Sequence, residues 1–295
     1  MTTATFDIRD AICEVGRRLW HRGFVANNDG NISFRLDENT VLATPTMISK
    51  GFLTPHDLVL VDLDGNQVGG ERRLTSEIRM HLHAYRTRSD ISAVVHAHPP
   101  HATAFAITGR ALPKGVLPEA ELFLGEVPVV PYRLPGTWEL ARSLGPWLAH
   151  RDTLLLQNHG AIAVGTDPFD AYYRMETLDQ VCRVLLLGEG LGTLNTLTVE
   201  EHEELIGAKA AWRIADSRAG MRGVRLREPS VHVRRQDPAW APAREPFDGA
   251  RFPRVTDEPK ASTAPEPTDA PPLPRPSNRP SIEAAVREVL AALGR

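Results

Sequence analysis

The spacing of apolar positions changes several times along the chain, and each change predicts a different kind of element. Apolar residues recur at helical spacing from Ile8 to Trp20, and Gly23 follows where a helix commonly ends. From Phe24 to Asp62 the pattern changes to short β-type runs separated by Asp-Gly, Asp-Glu-Asn and Pro-containing turns. We interpret this stretch as strands joined by hairpin turns.

Strand and helix patterns then alternate irregularly along the rest of the first 218 residues. The predicted strands cover residues 31–36, 41–44, 58–63, 91–98, 127–132, 153–157 and 161–165. The predicted helices after the first begin at Glu77, with Ser76 as N-cap, and cover residues 101–108, 138–150, 168–187 and 199–218. We therefore predict an α/β fold whose central sheet, predominantly antiparallel or mixed, is flanked by helices.

The hydrophobic periodicity is lost after about Ser230 and returns only at the end of the chain. Of the 24 prolines, 12 lie between Pro238 and Pro280, and few apolar residues accompany them. We predict a catalytic domain over residues 1–235, a Pro-rich disordered linker over 236–280 and an amphipathic helix over 281–295. Its N-cap is Ser281, and its apolar stripe consists of Ile282, Val286, Val289, Leu290 and Leu293.

Composition and charge narrow the class of protein. A net charge of −3 disfavours binding to nucleic acid or to an anionic membrane through a basic surface. The two cysteines, Cys13 and Cys182, are too few for a disulfide framework, and each lies in an apolar helical pattern typical of core residues. No apolar run approaches the roughly 18–20 residues that span a bilayer. We expect a cytoplasmic protein that acts on a small polar molecule.

Three histidines have a spacing that suits a metal. His96 and His98 are separated by one residue on a predicted strand and so point to the same face, and His159 ends another strand. Three neutral imidazoles with one open position form the usual catalytic zinc site. An isolated His-x-His pair is more often an ordinary surface or core feature, and the third histidine is what favours a metal site. His81 and His83 lie about 200° apart on a helix, cannot share an ion, and are interpreted as structural.

Glu77 is the best candidate for acid/base chemistry. It lies at the start of a predicted helix, where the helix dipole stabilises a carboxylate. The alternative is that Glu77 only stabilises the helix through this interaction and has no catalytic role. Thr75 and Ser76, with the free N–H groups of the helix start, could hold a phosphate. The polar turns at 29–33 and 44–46 offer further anion-binding capacity, or simple turn chemistry.

Taken together, these motifs resemble the class II aldolase/adducin family, in particular its fuculose-1-phosphate and rhamnulose-1-phosphate aldolase branch. The resemblance extends in consistent order from about Ile8 to Arg218. The motifs are GNIS from Gly30, ATPT from Ala43, KGFLTPHDLVLVD from Lys50, TSE from Thr75, VVHAHPPHA from Val94, PYRLPGT from Pro131 and LLLQNHGAIAVG from Leu154.

The resemblance implies a role for each candidate residue. One zinc ion per subunit would be bound by His96, His98 and His159. The phosphate-binding positions would be Asn31, Thr46, Thr75 and Ser76. Glu77 would be the acid/base, and Tyr132 would reach the active site of the adjacent subunit in a cyclic homotetramer.

The implied reaction is cleavage of a deoxyketose 1-phosphate to dihydroxyacetone phosphate and lactaldehyde. Tyr132 would assist at the C4 oxygen, and Glu77 would protonate the carbon left by cleavage. Three alternatives stay open: a related zinc-dependent epimerase, which typically carries Asp at the position of Glu77, a dehydratase, and a non-catalytic adducin-like module. One departure affects phosphate binding, because Met47 follows Thr46 where many family members carry Gly.

The C-terminal helix resembles the encapsulation peptides that direct enzymes into bacterial microcompartments. A Pro-rich linker followed by a short apolar stripe favours docking into a groove of a partner, here the shell proteins, through residues 281–295. Lactaldehyde is a reactive product that such a compartment would enclose. The alternative is that this helix folds back onto the enzyme.

Overall fold

The computed structural model describes residues 7–212 of the 295-residue chain. The predicted linker, the predicted targeting helix and the last residues of the helix predicted over 199–218 lie outside the described residues. The helices are α1 (Ile8–His21), α2 (Ile78–Thr87), α3 (Pro100–Thr108), α4 (Trp138–Leu148), α5 (Pro168–Leu191) and α6 (Val199–Ala211). The strands are β1 (Asn31–Arg35), β2 (Thr40–Ala43), β3 (Val59–Asp62), β4 (Gln67–Gly69), β5 (Ala93–Ala97), β6 (Val129–Val130), β7 (Thr153–Leu156) and β8 (Gly160–Gly165).

The eight strands form one mixed sheet in the order β4-β3-β2-β1-β5-β8-β7-β6. Only β6 and β7 run parallel, and every other neighbouring pair in this sheet is antiparallel. The predicted fold class is therefore confirmed. The central strands β1, β5 and β8 are in register so that Asn31 lies opposite His96, and His96 opposite Ile162.

Helices cover both faces of the sheet. One apolar cluster joins α1, α3 and α5 to one face, and it includes Val95, Cys13 and Cys182. The second cluster joins α2 and α4 to the other face and includes Val94. Since side chains alternate along a strand, His96 points to the same face as Val94, towards α2. Both cysteines are buried and unpaired, as predicted.

The structure corrects several predicted boundaries. Helix α2 begins at Ile78, with Glu77 rather than Ser76 as its N-cap residue. Strand β4 was not predicted, because this exposed edge strand has no buried face to produce an alternating pattern. The region predicted as a loop before β6 contains a π-helical turn, Ala120–Leu124. No helix within residues 7–212 combines the length and the apolar character needed to cross a membrane.

Candidate active site

The three predicted histidines lie together at one end of the central strands. His96 belongs to β5, His98 follows that strand directly, and His159 lies in the turn between β7 and β8. Because β5 and β8 are neighbours, these segments meet, and one ring nitrogen from each histidine lies within 4.8 Å of the others. His96 is fully buried, whereas the other two are partly exposed. The three ring nitrogens are therefore close enough together to bind one metal ion.

Tight turns allow these side chains to approach each other. Pro99 and Pro100 follow His98 and end the strand, since proline donates no hydrogen bond to a ladder. Gly160 follows His159, and a Cβ atom at this glycine would lie 2.5 Å from the Ala97 carbonyl oxygen. A side chain at Gly160 would therefore push the two strand ends apart.

One hydrogen bond and one longer contact with a carboxylate orient two of the imidazole rings. The Nδ1 of His96 lies 2.9 Å from the Ala161 carbonyl oxygen, and a carbonyl can only accept, so the proton is on Nδ1. The Nε2 of His96 is the nitrogen that faces the cluster, 3.2 Å from the Nε2 of His98. The Nδ1 of His98 faces the Asp29 carboxylate at 3.6 Å. Such outer contacts are typical of histidines that bind a metal through their second nitrogen.

Glu77 faces the histidines from the start of α2. Its Oε2 lies 3.3 Å from the Nε2 of His96 and its Oε1 lies 3.3 Å from the Nε2 of His159. The Asn31 amide donates a hydrogen bond of 2.9 Å to Oε2. As an N-cap residue without a capping hydrogen bond of its own, Glu77 directs its carboxylate into the site rather than onto the helix.

The electrostatics of the cluster favour a positive charge beside Glu77. Burial alone would raise the pKa of Glu77, but the charge of His96 and hydrogen bonds from His159 and His96 hold it well below its usual value. The pKa of His96 is raised, since the attraction of Glu77 outweighs burial. Burial, followed by the charges of His96 and His159, lowers the pKa of His98 to about 4. A carboxylate among three imidazoles that cannot all be protonated suits a divalent cation.

The segments that carry the other predicted site residues adjoin Glu77. The Thr46 N–H donates to the Arg73 carbonyl oxygen at 2.9 Å, which joins the loop after β2 to the segment before α2. Thr75 is buried, and its Oγ1 accepts a long hydrogen bond of 3.4 Å from the Glu77 N–H. Ser76 is exposed, and Gly136 of the PYRLPGT segment packs against it.

Comparison with known proteins decides the family. Residues 10–186 match the model of the Class II Aldolase and Adducin N-terminal domain. The chain belongs to this family. Together with relatives that are aldolases and with the histidine group, this membership makes the protein a metal-dependent aldolase.

Individual relatives agree on the family and differ in the substrates and reactions for which they are named. The L-fuculose phosphate aldolase of Methanococcus maripaludis strain S2 is 38% identical over 171 residues, which cover 58% of this chain and 92% of that protein. The 3-oxo-tetronate 4-phosphate decarboxylase of Haemophilus influenzae is 31% identical over 186 residues, 62% of this chain and 88% of its own. A solved L-fuculose 1-phosphate aldolase superposes with a TM-score of 0.64 at 29% identity, covering 71% and 98% of the two chains.

Two predicted residues of this aldolase lie in exposed positions. Tyr132 is 46% exposed, and its N–H donates to the Gln157 side chain at 3.1 Å. Within residues 7–212, no hydrogen bond or ring contact joins the Tyr132 side chain to the histidines. Met47 is 76% exposed and has a φ of 60°, a left-handed conformation that favours glycine.

Two features of the aldolase site were missed in the sequence. Lys50 is only 1% exposed, and its Nζ donates to the carbonyl oxygens of Asn28 at 3.0 Å and Ile48 at 2.7 Å. It thereby joins the loop before β1 to the loop after β2. Burial lowers the pKa of Lys50 to about 8, although Asp29 and Glu77 oppose the shift. No sequence pattern distinguishes such a lysine from a solvated one.

The second missed feature is His81, interpreted above as structural. It is fully buried, and its Nε2 lies 2.5 Å from the Asn31 Oδ1. The signal that could have found it is its spacing from Glu77, since residues four apart on a helix share a face.

Proposed function

We propose that this aldolase cleaves a deoxyketose 1-phosphate of the fuculose-1-phosphate or rhamnulose-1-phosphate type to dihydroxyacetone phosphate and lactaldehyde, with zinc as its metal. The observation that carries the proposal is the position of Glu77 between His96 and His159, with an amide donor from Asn31. The 38% identity to a protein named L-fuculose phosphate aldolase supports the substrate class.

The zinc ligands in this proposal are His96, His98 and His159. Three nitrogen donors leave a position for substrate, which distinguishes a catalytic zinc site from a structural one. When bound, the cation would polarise the ketone and hydroxyl oxygens beside the scissile bond and stabilise the negative charge that develops there. The Ala161 carbonyl oxygen and the Asp29 carboxylate hold two of the rings in the required orientation.

Glu77 and Tyr132 transfer the protons. When the C3–C4 bond breaks, its electron pair stays on C3, and the C4 hydroxyl must lose its proton as it becomes a carbonyl. We assign assistance at the C4 oxygen to Tyr132 and protonation of C3 to Glu77. Glu77 must first take up a proton equivalent to the one that leaves the C4 hydroxyl, so the cleavage involves no net change in protons. In the synthetic direction Glu77 removes that C3 proton, a task that suits a carboxylate held ionised by its neighbours.

The phosphate in this proposal binds at Asn31, Thr46, Thr75 and Ser76. The hydrogen bond between Thr46 and Arg73 brings two of the segments together, and the α2 N-terminus adds free N–H groups. Asn31 is 2% exposed, and its side-chain amide is hydrogen-bonded to Glu77 and His81. In this proposal the phosphate therefore contacts the backbone next to Asn31 rather than its side chain.

A decarboxylase is the second candidate. The Haemophilus influenzae relative, 31% identical, is named for decarboxylation of a 3-oxo-tetronate 4-phosphate. Loss of carbon dioxide next to a ketone also leaves an electron pair that needs a Lewis acid and then a proton. The same histidines and Glu77 would therefore serve both reactions, and substrate decides between them.

A parallel assay tests the two candidates. Purified enzyme is given fuculose-1-phosphate, rhamnulose-1-phosphate, ribulose-1-phosphate or 3-oxo-tetronate 4-phosphate, and released aldehyde and carbon dioxide are measured. We expect aldehyde from a deoxyketose 1-phosphate, lost with chelator and restored by zinc. Carbon dioxide from the tetronate without ketose cleavage would assign the decarboxylase instead.

A pair of histidine variants tests the metal site. His98→Ala is expected to lose bound zinc and activity together, as measured by elemental analysis and turnover. His56→Ala, which removes an exposed imidazole, is the matched control and should keep both. Full zinc content in His98→Ala would remove this residue from the ligand set.

We further propose the organisation of the whole chain. Residues 1–235 form the catalytic domain, 236–280 a linker and 281–295 a helix that binds microcompartment shell proteins. The exposed position of Tyr132 supports a homotetramer in which this residue completes the site of an adjacent subunit.

A further inference from the structure

A chain of buried hydrogen bonds leads from the core to Glu77. The Tyr85 hydroxyl lies 2.7 Å from the Ser33 Oγ, and this Oγ lies 2.7 Å from the His81 Nδ1. On the other side of the ring, Nε2 lies 2.5 Å from the Asn31 Oδ1. Asn31 then donates to Glu77. Four buried side chains from α2 and β1 thus end on the carboxylate of the active site.

The donor and acceptor roles in this chain are determined from its Glu77 end. A carboxylate only accepts, so the Asn31 amide must present its NH₂ group to Glu77 and its oxygen to His81. His81 must then carry its proton on Nε2, which leaves Nδ1 as an acceptor. Ser33 must donate to that nitrogen, and the Ser33 oxygen in turn accepts from the Tyr85 hydroxyl.

The opposite tautomer of His81 would reverse the amide. With the proton on Nδ1, Nε2 would accept from the Asn31 NH₂ group, and the amide oxygen would face the Glu77 carboxylate. Two acceptors at 2.9 Å repel each other, and the carboxylate would lose a donor in a buried position. The Ser33 hydroxyl opposes this reversal when Tyr85 donates to it. If Nδ1 then also donated to the Ser33 oxygen, the Ser33 proton would have no acceptor among its two partners.

We propose that Ser33 and His81 are positioning residues that lock the Asn31 amide in the orientation that donates to Glu77. Tyr85 supports them by donating a hydrogen bond to the Ser33 oxygen, so that the Ser33 proton is directed to His81. Burial lowers the pKa of His81 to about 3, with the charge of His96 as the next cause, so the ring stays neutral and has one defined tautomer at neutral pH. The role of Glu77 as acid/base rests on the proposed function, whereas the tautomer and amide orientation do not.

The first test reads the tautomer without any assay of activity. The ¹⁵N shifts of the His81 ring in the full-length, metal-loaded wild type should show a neutral imidazole protonated at Nε2. In Ser33→Ala the Nδ1 tautomer should become populated. A wild type protonated at Nδ1 would overturn the proposal, whether or not any variant folds.

The second test measures what the lock does for turnover. If the wild type cleaves a deoxyketose 1-phosphate, Ser33→Ala should lower kcat at least tenfold while KM and bound metal stay within about twofold. Thr153→Val is the matched control, since it removes a buried hydroxyl that has no hydrogen-bond partner among residues 7–212, and it should leave kcat unchanged. A Ser33→Ala enzyme with wild-type kcat and an unchanged His81 tautomer would contradict the proposal. A wild type without aldolase activity refutes only the proposed function, and the ¹⁵N shifts still decide.

Discussion

In the proposed mechanism, Glu77 differs from the histidines around it because its charge serves proton transfer rather than metal binding. Glu77→Gln keeps the size and hydrogen-bonding shape of the side chain and removes its ability to accept a proton. We expect zinc content to stay at the wild-type level and kcat to fall about 10²–10⁴-fold, the usual contribution of a general acid or base. Glu38→Gln, on an exposed turn, is the control. Near-wild-type turnover in Glu77→Gln would exclude this role.

Lys50 leads to a prediction about stability and pH. Its pKa is about 8 in the folded chain against 10.5 for an unperturbed lysine. Between these values the unfolded state binds the proton and the folded state does not, so the contribution of Lys50 to stability rises with pH over this window. The rise amounts to about 3 kcal/mol, since one pKa unit corresponds to about 1.4 kcal/mol.

Comparison of the wild type with Lys50→Met isolates this contribution. Free energies of unfolding from urea titrations at pH 7.5 to 10.5 should increase more steeply in the wild type than in the variant. The variant loses two hydrogen bonds to backbone carbonyls, so its stability at a single pH is not the readout. Parallel pH profiles would show that the lysine keeps its ordinary pKa.

Met47 tests how the departure from the family pattern affects substrate. Its left-handed φ of 60° strains a residue that has a Cβ, and its exposed side chain adjoins the proposed phosphate-binding Thr46. We expect Met47→Gly to lower KM for a sugar phosphate severalfold without changing kcat, because the backbone can then approach the phosphate. Met47→Ala keeps the Cβ atom and should retain more of the wild-type KM. Equal KM values for Gly and Ala would attribute the effect to the lost side chain alone.

At the scale of elements, the sequence predicts what depends on local pattern. The β-branched run of β5 is followed by two prolines, and those residues alone predict that His96 and His98 lie at a strand end. Strand β4 was missed because a three-residue exposed edge strand produces no alternation. The Ser33–His81 contact was missed for another reason. It joins residues 48 positions apart, and their proximity depends on how α2 packs on β1.

Helix α3 shows how one element holds another beside the site. Its N-cap residue makes no side-chain hydrogen bond to the helix, and Asp179 of α5 caps the N-terminus instead. The buried Asp179 carboxylate accepts from the N–H groups of His101 at 2.9 Å and Ala102 at 3.1 Å, and it also contacts the His101 ring at 2.9 Å. Because α3 begins two residues after His98, this cap also fixes the end of β5.

Asp179→Asn should weaken this cap. The amide retains one acceptor but loses the charge that favours the helix N-terminus, so we expect a loss of about 1–2 kcal/mol in the free energy of unfolding. Zinc affinity should fall as well, since His98 is less firmly placed. Urea unfolding and a zinc titration measure the two effects. Asp64→Asn, at an exposed carboxylate, is the control and should change neither. Unchanged stability in Asp179→Asn would show that the backbone holds α3 without this charge.

For the whole molecule, the site depends on four separate regions of sequence that meet at one end of the sheet. The start of β1 supplies Asn31, the start of α2 supplies Glu77, the end of β5 supplies His96 and His98, and the β7–β8 turn supplies His159. The order of these motifs along the chain was enough to identify the family, but the contacts among them follow from the strand order β1-β5-β8. Sequence patterns of single elements contain no information about that order.

The last prediction concerns the part of the chain beyond the described residues. The sequence after the proposed catalytic domain combines a Pro-rich stretch, which disfavours packing, with apolar residues from Ile282 to Leu293 that would form one stripe on the predicted helix. If that partner is a shell protein, deletion of residues 281–295 should leave kcat, KM and zinc content unchanged and abolish co-purification with shell proteins.

Two substitutions test whether shell association depends on the apolar stripe itself rather than only on the presence of residues 281–295. Leu290→Asp places a charge in the stripe and should act like the deletion, because a buried unpaired carboxylate is costly in a groove. Glu283→Gln changes a residue off the stripe and should keep the association. Shell association that survives both the deletion and Leu290→Asp would exclude a targeting role. A deletion that lowers kcat instead would indicate that the helix folds back onto its own enzyme, since a helix bound only to a separate partner has no reason to affect turnover in the purified protein.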